Sequence, residues 1–212
     1  LILMTVILVI ILGGCTYVIN KTSGQIYEQM SQMAQLYAQE LDNRFLRISR
    51  NLFSTIMDTN ETNSTFWGNV NLMKNGDYSE YAIGKLREEY FSSAWEYGTE
   101  YRIFLYTHDT DKLYQLSLSS DGNYTMSPDI AASIREQIDK LDEKTYAVKR
   151  KWDVLECDNE VYICKIAQKN GIALGCIVNV KSILEPFSKL SLGKHGYVSL
   201  VDQDEVCIGM LD

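Results

Sequence analysis

Residues 160–180 read EVYICKIAQKNGIALGCIVNV, which is two strand-like runs on either side of the turn-forming pair Asn170-Gly171. The runs Glu160–Gln168 and Ile172–Val180 are rich in apolar and β-branched residues. They predict an antiparallel hairpin closed by a two-residue turn.

The turn length also predicts which residues face each other across the hairpin. Cys164 is expected opposite Ile177, and Cys176 opposite Lys165. Because successive side chains alternate between the faces of a strand, the two cysteines point to opposite sides of the sheet. A Cys164–Cys176 disulfide is therefore excluded by this register.

The same alternation divides the hairpin into two faces with different expected roles. On one face Gly175 lies opposite Ile166, which leaves room beside Tyr162, and we assign this face to a ligand pocket. Its residues are Tyr162, Cys164, Ile166, Gly175 and Ile177. The other face is expected to pack against helices, and its residues are Ile163, Leu174 and Val178.

Around the hairpin, short strand-like runs alternate with helical segments. Further strands are predicted at 101–107, 112–118, 145–155, 196–202 and 205–208. Ser127-Pro128-Asp129 predicts the start of a helix that buries Ile130, Ile134, Ile138 and Leu141. A short helix at 181–190 is expected to break at Pro186. Neighbouring antiparallel strands with helices to one side predict an α+β fold.

A long helical stripe precedes these elements. Apolar residues recur every three or four positions from Ile26 to Ile56, and no Gly or Pro interrupts them. The stripe comprises Ile26, Met30, Met33, Tyr37, Leu41, Phe45, Ile48, Leu52 and Ile56. It predicts one continuous stalk helix, covered in part by its own domain and in part by a second copy of the chain.

The first 20 residues carry no charge. At about 1.5 Å per residue they cover roughly 30 Å, the thickness of a hydrocarbon core, so they predict a transmembrane helix. Leu12-Gly13-Gly14-Cys15 also fits a lipobox, in which Cys15 would carry a lipid. The apolar continuation after Cys15 favours the membrane span, since a lipoprotein usually continues with a polar tether.

Composition narrows the functional classes. The net charge is −8 and no basic run occurs, so we expect no nucleic-acid partner. None of the sequence motifs typical of nucleotide-binding, hydrolase or zinc sites is present, and the five cysteines include no CxxC pair. The sequence therefore predicts no catalytic residue, no metal and no cofactor within these 212 residues.

Two segments carry a family resemblance: Gly175-Cys-Ile-Val-Asn-Val-Lys-Ser-Ile-Leu184 and Gly196-Tyr-Val-Ser-Leu-Val-Asp-Gln-Asp-Glu-Val-Cys-Ile208. Together with the stalk helix, they make the chain similar to bacterial double-Cache sensor domains, with the layout of YesM-like sensor histidine kinases. The resemblance implies four regions: a transmembrane helix at 1–20, a stalk helix at 21–58, a membrane-distal PAS-like Cache module at 59–190, and the start of a membrane-proximal module at 191–212.

A site also follows from aromatic and charged residues on the strands. We expect ligand contacts from Tyr114, Arg150, Trp152 and Tyr162. Amino-acid-binding members of the family carry Arg-x-Trp-Tyr, and here Arg150-Lys151-Trp152-Asp153 has Asp where the second aromatic belongs. This departure argues against an amino-acid ligand.

The expected function is the extracytoplasmic ligand-sensing region of a bacterial membrane receptor that dimerises through the stalk. A sensor histidine kinase is the first candidate for the whole protein. The alternatives are a chemotaxis receptor and a lipid-anchored extracellular binding protein. The ligand is expected to be a small extracellular molecule.

Overall fold

A computed structural model describes residues 2–58, 64–74, 79–118, 122–141, 147–148, 151–189, 197–201 and 207–211. For residues 2–16, 19, 91–96, 147–148, 189 and 211 it describes the backbone only.

The fold is α+β, as predicted. The helices are α1 (Ile2–Met57), α2 (Thr65–Lys74), α3 (Ser79–Tyr97), α4 (Pro128–Asp139) and α5 (Val180–Leu184). The strands are β1 (Tyr101–Thr107), β2 (Lys112–Gln115), β3 (Ala147–Val148), β4 (Asp153–Cys157), β5 (Glu160–Lys169), β6 (Ile172–Asn179), β7 (Val198–Val201) and β8 (Cys207–Leu211). Single 3₁₀ turns follow β1 (His108–Thr110) and α5 (Glu185–Lys189).

One antiparallel sheet organises most of the described chain. Its strand order is β2-β1-β6-β5, and β3 and β4 both pair with the outer edge of β5. β7 and β8 form a separate hairpin whose register shifts between Leu200 and Val201. The central strands β5 and β6 are therefore paired on both edges over most of their length.

The predicted hairpin register is confirmed. Cys164 pairs with Ile177 and Lys165 with Cys176, and both cysteines are free thiols. Asn170 and Gly171 have φ values of 53° and 72°, so both turn residues are left-handed, as a type I′ turn requires. Such a turn matches the right-handed twist of the two strands it joins.

Both faces of the sheet are buried, which explains the continuous apolar runs of β5 and β6. The expected assignment of one face to helices is confirmed, since Ile163, Leu174 and Val178 belong to the core shared with α1, α2 and α3. The opposite face packs against α4. That second core contains Phe104, Tyr106, Ile130, Ile134, Ile138, Tyr162, Cys164, Ile166 and Ile177.

Helix α4 begins where the sequence predicts. The Ser127 hydroxyl accepts a hydrogen bond from the Ile130 amide, and Pro128 occupies the first helical position, where its missing N–H costs nothing. The apolar spacing of α4 then directs Ile130, Ile134 and Ile138 onto the sheet.

Helix α1 is continuous from Ile2 to Met57, so the predicted stalk helix at 26–56 is confirmed. The C-terminal half of its stripe is covered by the domain, with Leu41, Ile48, Leu52 and Ile56 buried. Towards the N-terminus the stripe is open, and Ile26 and Met33 are exposed.

Among the residues whose side chains are described, no helix is both long enough and apolar enough to cross a membrane. The side chains of residues 1–16, and with them most of the predicted span at 1–20, lie outside that set. The span stays a prediction.

Three elements differ from the sequence-based expectation or refine it. Helix α2 is not predicted by the sequence pattern, although Phe66, Val70 and Met73 recur at helical spacing and are buried. The single strand expected at 145–155 is instead the pair β3 and β4, which bond to different parts of β5. The break expected at Pro186 is confirmed, because α5 ends at Leu184 and a 3₁₀ turn follows.

Gly175 provides a test of the packing on the α4 face. A Cβ at this position would overlap Phe104 Cζ and would lie 2.8 Å from the Lys165 carbonyl oxygen. Gly175→Ala should therefore destabilise the domain by about 1–3 kcal/mol, because the ring and the neighbouring strand must both shift. Denaturant unfolding of the purified chain measures this difference.

Gly84→Ala is the matched control. Gly84 lies in α3, and a Cβ added there would meet nothing within 4 Å, so this substitution should stabilise by roughly 0.5–1 kcal/mol. Equal stabilities for Gly175→Ala and the wild-type protein would contradict the close approach of Phe104.

Candidate functional site

A cavity of about 410 Å³ opens on the α4 face, at the end of the sheet where β1 and β5 begin and β6 ends. Its volume lies within the range of small-molecule sites. It is lined by Thr99, Glu100, Arg102, Ile130, Tyr162, Ile177, Asn179, Ser182, Glu185 and Pro186.

Strand register brings the floor of the cavity together. Arg102 of β1 pairs with Ile177 of β6, and Asn179 of β6 pairs with Tyr162 of β5. The two pairs are two residues apart along β6, so all four side chains project from the same face. They come from three strands that are distant in sequence, and only the folded sheet places them side by side.

The chain that follows β6 builds one wall of the cavity. Asn179 caps α5, since its Oδ1 accepts a hydrogen bond of 2.7 Å from the Lys181 amide. Ser182, Glu185 and Pro186 then line the cavity from α5 and its 3₁₀ turn. Ile130, in the first turn of α4, contributes an apolar patch.

A small hydrogen-bond network orders the floor. The Tyr162 hydroxyl donates to Glu160 Oε2 at 2.9 Å, and Asn179 Nδ2 donates to the same oxygen at 2.5 Å. Burial raises the pKa of Tyr162, and the hydrogen bond to Glu160 raises it further. Tyr162 therefore presents a neutral phenol at physiological pH.

The charged lining residues have both signs. Glu100 and Glu185 supply carboxylates and Arg102 supplies a guanidinium. Within the described part of the chain, Arg102 has no hydrogen-bond or ion-pair partner, so its donors are available. The described lining combines carboxylates, a guanidinium, hydroxyls and an amide, which are groups suited to hydrogen bonding with a polar molecule.

Of the four residues expected from sequence to contact a ligand, the three that the structure describes do not converge. Tyr162 lines the cavity, as expected. Tyr114 pairs with Leu105 on the opposite face of the sheet and borders a separate cavity of about 150 Å³ beside α2. Trp152 packs against Phe45 of α1, with ring centroids 4.7 Å apart. Arg150 lies outside the described residues.

The sequence-based reason for expecting a pocket on this face is wrong in its detail. The space opposite Ile166 at Gly175 is filled by the Phe104 ring. Tyr162 and Ile177 do lie next to a cavity, but it forms at the end of the sheet, beyond the part that α4 covers most closely.

Sequence reasoning missed six polar lining residues: Thr99, Glu100, Arg102, Asn179, Ser182 and Glu185. The role of Asn179 as a helix cap could have been predicted, because an Asn directly before a short helical run is a typical N-cap. The position of Arg102 could not have been predicted, since nothing local in the sequence specifies that β1 pairs with β6.

Among the described residues, no group of three or more His, Cys, Asp or Glu side chains could hold a metal ion. In comparisons with known proteins, no family model, curated protein or solved structure matches this chain.

Asn179 allows a test of how the cavity floor is held. Asn179→Ala removes both the α5 cap and the bond to Glu160, and we expect a loss of about 1 kcal/mol in unfolding free energy. Asn179→Asp keeps the cap but places a carboxylate beside Glu160. The cap hydrogen bond from the Lys181 amide would lower the folded-state pKa of Asp at this position, whereas repulsion from Glu160 would raise it. The same substitution made in a Glu160→Gln background keeps the cap and removes the repulsion.

The comparison of the two backgrounds fixes the sign of the pH effect. Because repulsion from Glu160 gives Asp at this position a higher folded-state pKa than it has beside Gln, Asn179→Asp should lose more stability as the pH rises when Glu160 is present than in the Glu160→Gln background. Urea midpoints between pH 4 and pH 7 measure the trend, with Asn179→Ala as the control that adds no charge. An equal pH dependence of Asn179→Asp in the two backgrounds would contradict the contact with Glu160.

Proposed function

We propose that this chain is the extracytoplasmic ligand-sensing region of a bacterial transmembrane receptor, built on PAS-like Cache modules. The whole protein would be a two-component sensor histidine kinase, with a chemotaxis receptor as the alternative. The observation that carries the proposal is the polar cavity, which lies on one face of the sheet while the long helix α1 packs on the other.

The cavity supports binding of a small polar ligand. It offers a guanidinium that has no partner among the described residues, two carboxylates, and hydroxyl and amide groups around a partly apolar floor. A few convergent polar groups in a concave, partly apolar site are typical of ligand pockets. The mixed charges favour a ligand with several hydrogen-bonding groups over a purely apolar one.

Helix α1 supports a receptor rather than a free binding protein. It extends well beyond the domain that covers its C-terminal half, and the extension exposes large apolar residues. These are Tyr17, Val18, Ile26, Tyr27, Met33 and Leu36. A second copy of the same helix would cover such residues in a dimer, and the apolar start of the chain would anchor it in the membrane.

Ligand binding is the first test. The full chain, purified in detergent, would be screened by thermal denaturation against amino acids, carboxylic acids, sugars, nucleosides and polyamines. A ligand at 100 times its Kd should stabilise the protein by about 2.7 kcal/mol. Ser182→Phe, which places a ring in the cavity, should abolish the shift.

Ser199→Phe is the control for that substitution, because Ser199 is exposed on β7 and does not line the cavity. A ligand-induced shift that survives Ser182→Phe would place the binding site elsewhere. The absence of any shift across all five classes would count against ligand sensing by this cavity.

Membrane attachment is the second test, and it also separates the lipid-anchored alternative. In a bacterial host, Cys15→Ser should leave the chain in the membrane fraction if residues 1–20 span the bilayer. Loss of membrane association in Cys15→Ser would instead indicate lipidation at Cys15. Fusion of alkaline phosphatase after Asp212 should give an active reporter, since this enzyme matures only outside the cytoplasm.

A further inference from the structure

Two parts of the cavity wall are attached to one short stretch of α1. The first wall is the turn at Thr99 and Glu100 that leads into β1, and the second is α5 with its 3₁₀ turn. We use "stalk junction" for the residues that make these attachments, which are Tyr37, Arg44, Glu100, Ile183 and Phe187.

Arg44 holds the first wall. Its Nη1 donates to the Tyr97 carbonyl oxygen at 3.2 Å and lies 3.6 Å from Glu100 Oε1. Its Nε also donates to Glu40 Oε1 at 3.1 Å within α1. The carboxylate of Glu100 is thus shared between the cavity lining and a cation on the long helix.

Tyr37 holds the second wall. Its hydroxyl donates to the Ile183 carbonyl oxygen at 3.2 Å, and its ring meets Phe187 edge-to-face at a centroid distance of 4.6 Å. Glu185 and Pro186, which line the cavity, lie between these two contact points in sequence. A shift of this wall therefore acts on both contacts of Tyr37.

Electrostatics indicates that the two attachments are close together. The pKa of Tyr37 is raised by burial first, lowered by Arg44, and then raised by Glu100 and Glu185. The carboxylates of both cavity walls thus act on the same hydroxyl of α1.

The spacing of the two attachments matters mechanically. Tyr37 and Arg44 are seven residues apart, which is about two helical turns, so they lie on the same side of α1 about 10 Å apart. The intervening Leu41 is buried in the core, whereas both attachments are only partly sheltered. Partly exposed polar contacts rearrange more readily than a closely packed core.

We propose that the stalk junction transmits the state of the cavity to α1, with Arg44 and Tyr37 as the two coupling residues. This inference rests on the proposed ligand-sensing function. A molecule that moves the two walls relative to each other would alter the contacts at Glu100 and Ile183. The stretch around residues 37–44 would then change its local stability or its rotation about the helix axis.

The test uses a side chain as a surrogate for ligand. Ser182→Phe fills the cavity from the α5 wall, and Thr99→Phe fills it from the wall that precedes β1. Amide hydrogen exchange of the peptide covering residues 33–45 is then measured by mass spectrometry in the full chain. We expect each filled variant to change exchange in this peptide by on the order of threefold or more, and the Ser199→Phe control to leave it unchanged.

The decisive comparison is made in a background carrying Tyr37→Phe and Arg44→Gln. These substitutions keep the aromatic contact to Phe187 and most of the side-chain volume, but remove the hydroxyl and the charge. In that background the effect of filling the cavity should disappear. An undiminished effect would overturn the proposal, because coupling would then run through the packed core. Unchanged exchange in both filled variants of the original chain would also overturn it.

This outcome is independent of the ligand screen. If no compound binds but filling the cavity still changes α1 through Arg44 and Tyr37, the coupling stands and the ligand-sensing function fails. If a compound binds and Ser182→Phe abolishes its binding, but neither filled variant alters exchange at residues 33–45, the function stands and the stalk junction does not carry its signal.

Discussion

The type I′ turn at Asn170-Gly171 is the constraint on which the rest of this structure depends. It sets the register of β5 on β6, and that register decides which apolar residues face α1 and which face α4. A slip of one residue would exchange the two faces and would move Lys165 into the core beneath α4. Because both faces are covered, the central strands have no solvent-exposed side that could tolerate such a slip.

Coverage of both faces also determines where a cavity can form. In the middle of the sheet, Phe104 closes over Gly175 and the isoleucines of α4 pack directly on the strands. At the end of the sheet the strands give way to connecting segments that carry polar and charged residues. The cavity therefore lies where regular packing ends, and its polar character follows from the turn and cap residues that make its walls.

The features predictable from sequence are those encoded by neighbouring residues. The hairpin register follows from a two-residue turn, the start of α4 from Ser127-Pro128, and the continuity of α1 from an uninterrupted apolar stripe. The pairing of β1 with β6 depends instead on tertiary packing, and it alone places Arg102 beside Ile177. Tyr114 is a suitable residue type for the ligand site, but its partner Leu105 puts it on the face covered by the stalk helix.

The distribution of contacts along α1 separates two mechanical roles. From Ile48 to Ile56 the helix is held by buried apolar side chains, which pack in one arrangement and resist small displacements. Tyr37 and Arg44 add contacts of another kind, since a hydrogen bond to a carbonyl oxygen and an ion pair at 3.6 Å can be remade with modest changes in geometry. Partly exposed polar contacts between a cavity wall and a helix add little to the free energy of unfolding, so stability alone does not account for them. Helix α1 thus combines a rigid anchor in the core with adjustable contacts at Tyr37 and Arg44. Such a combination would allow small movements of the cavity walls to reach the helix without unfolding the core.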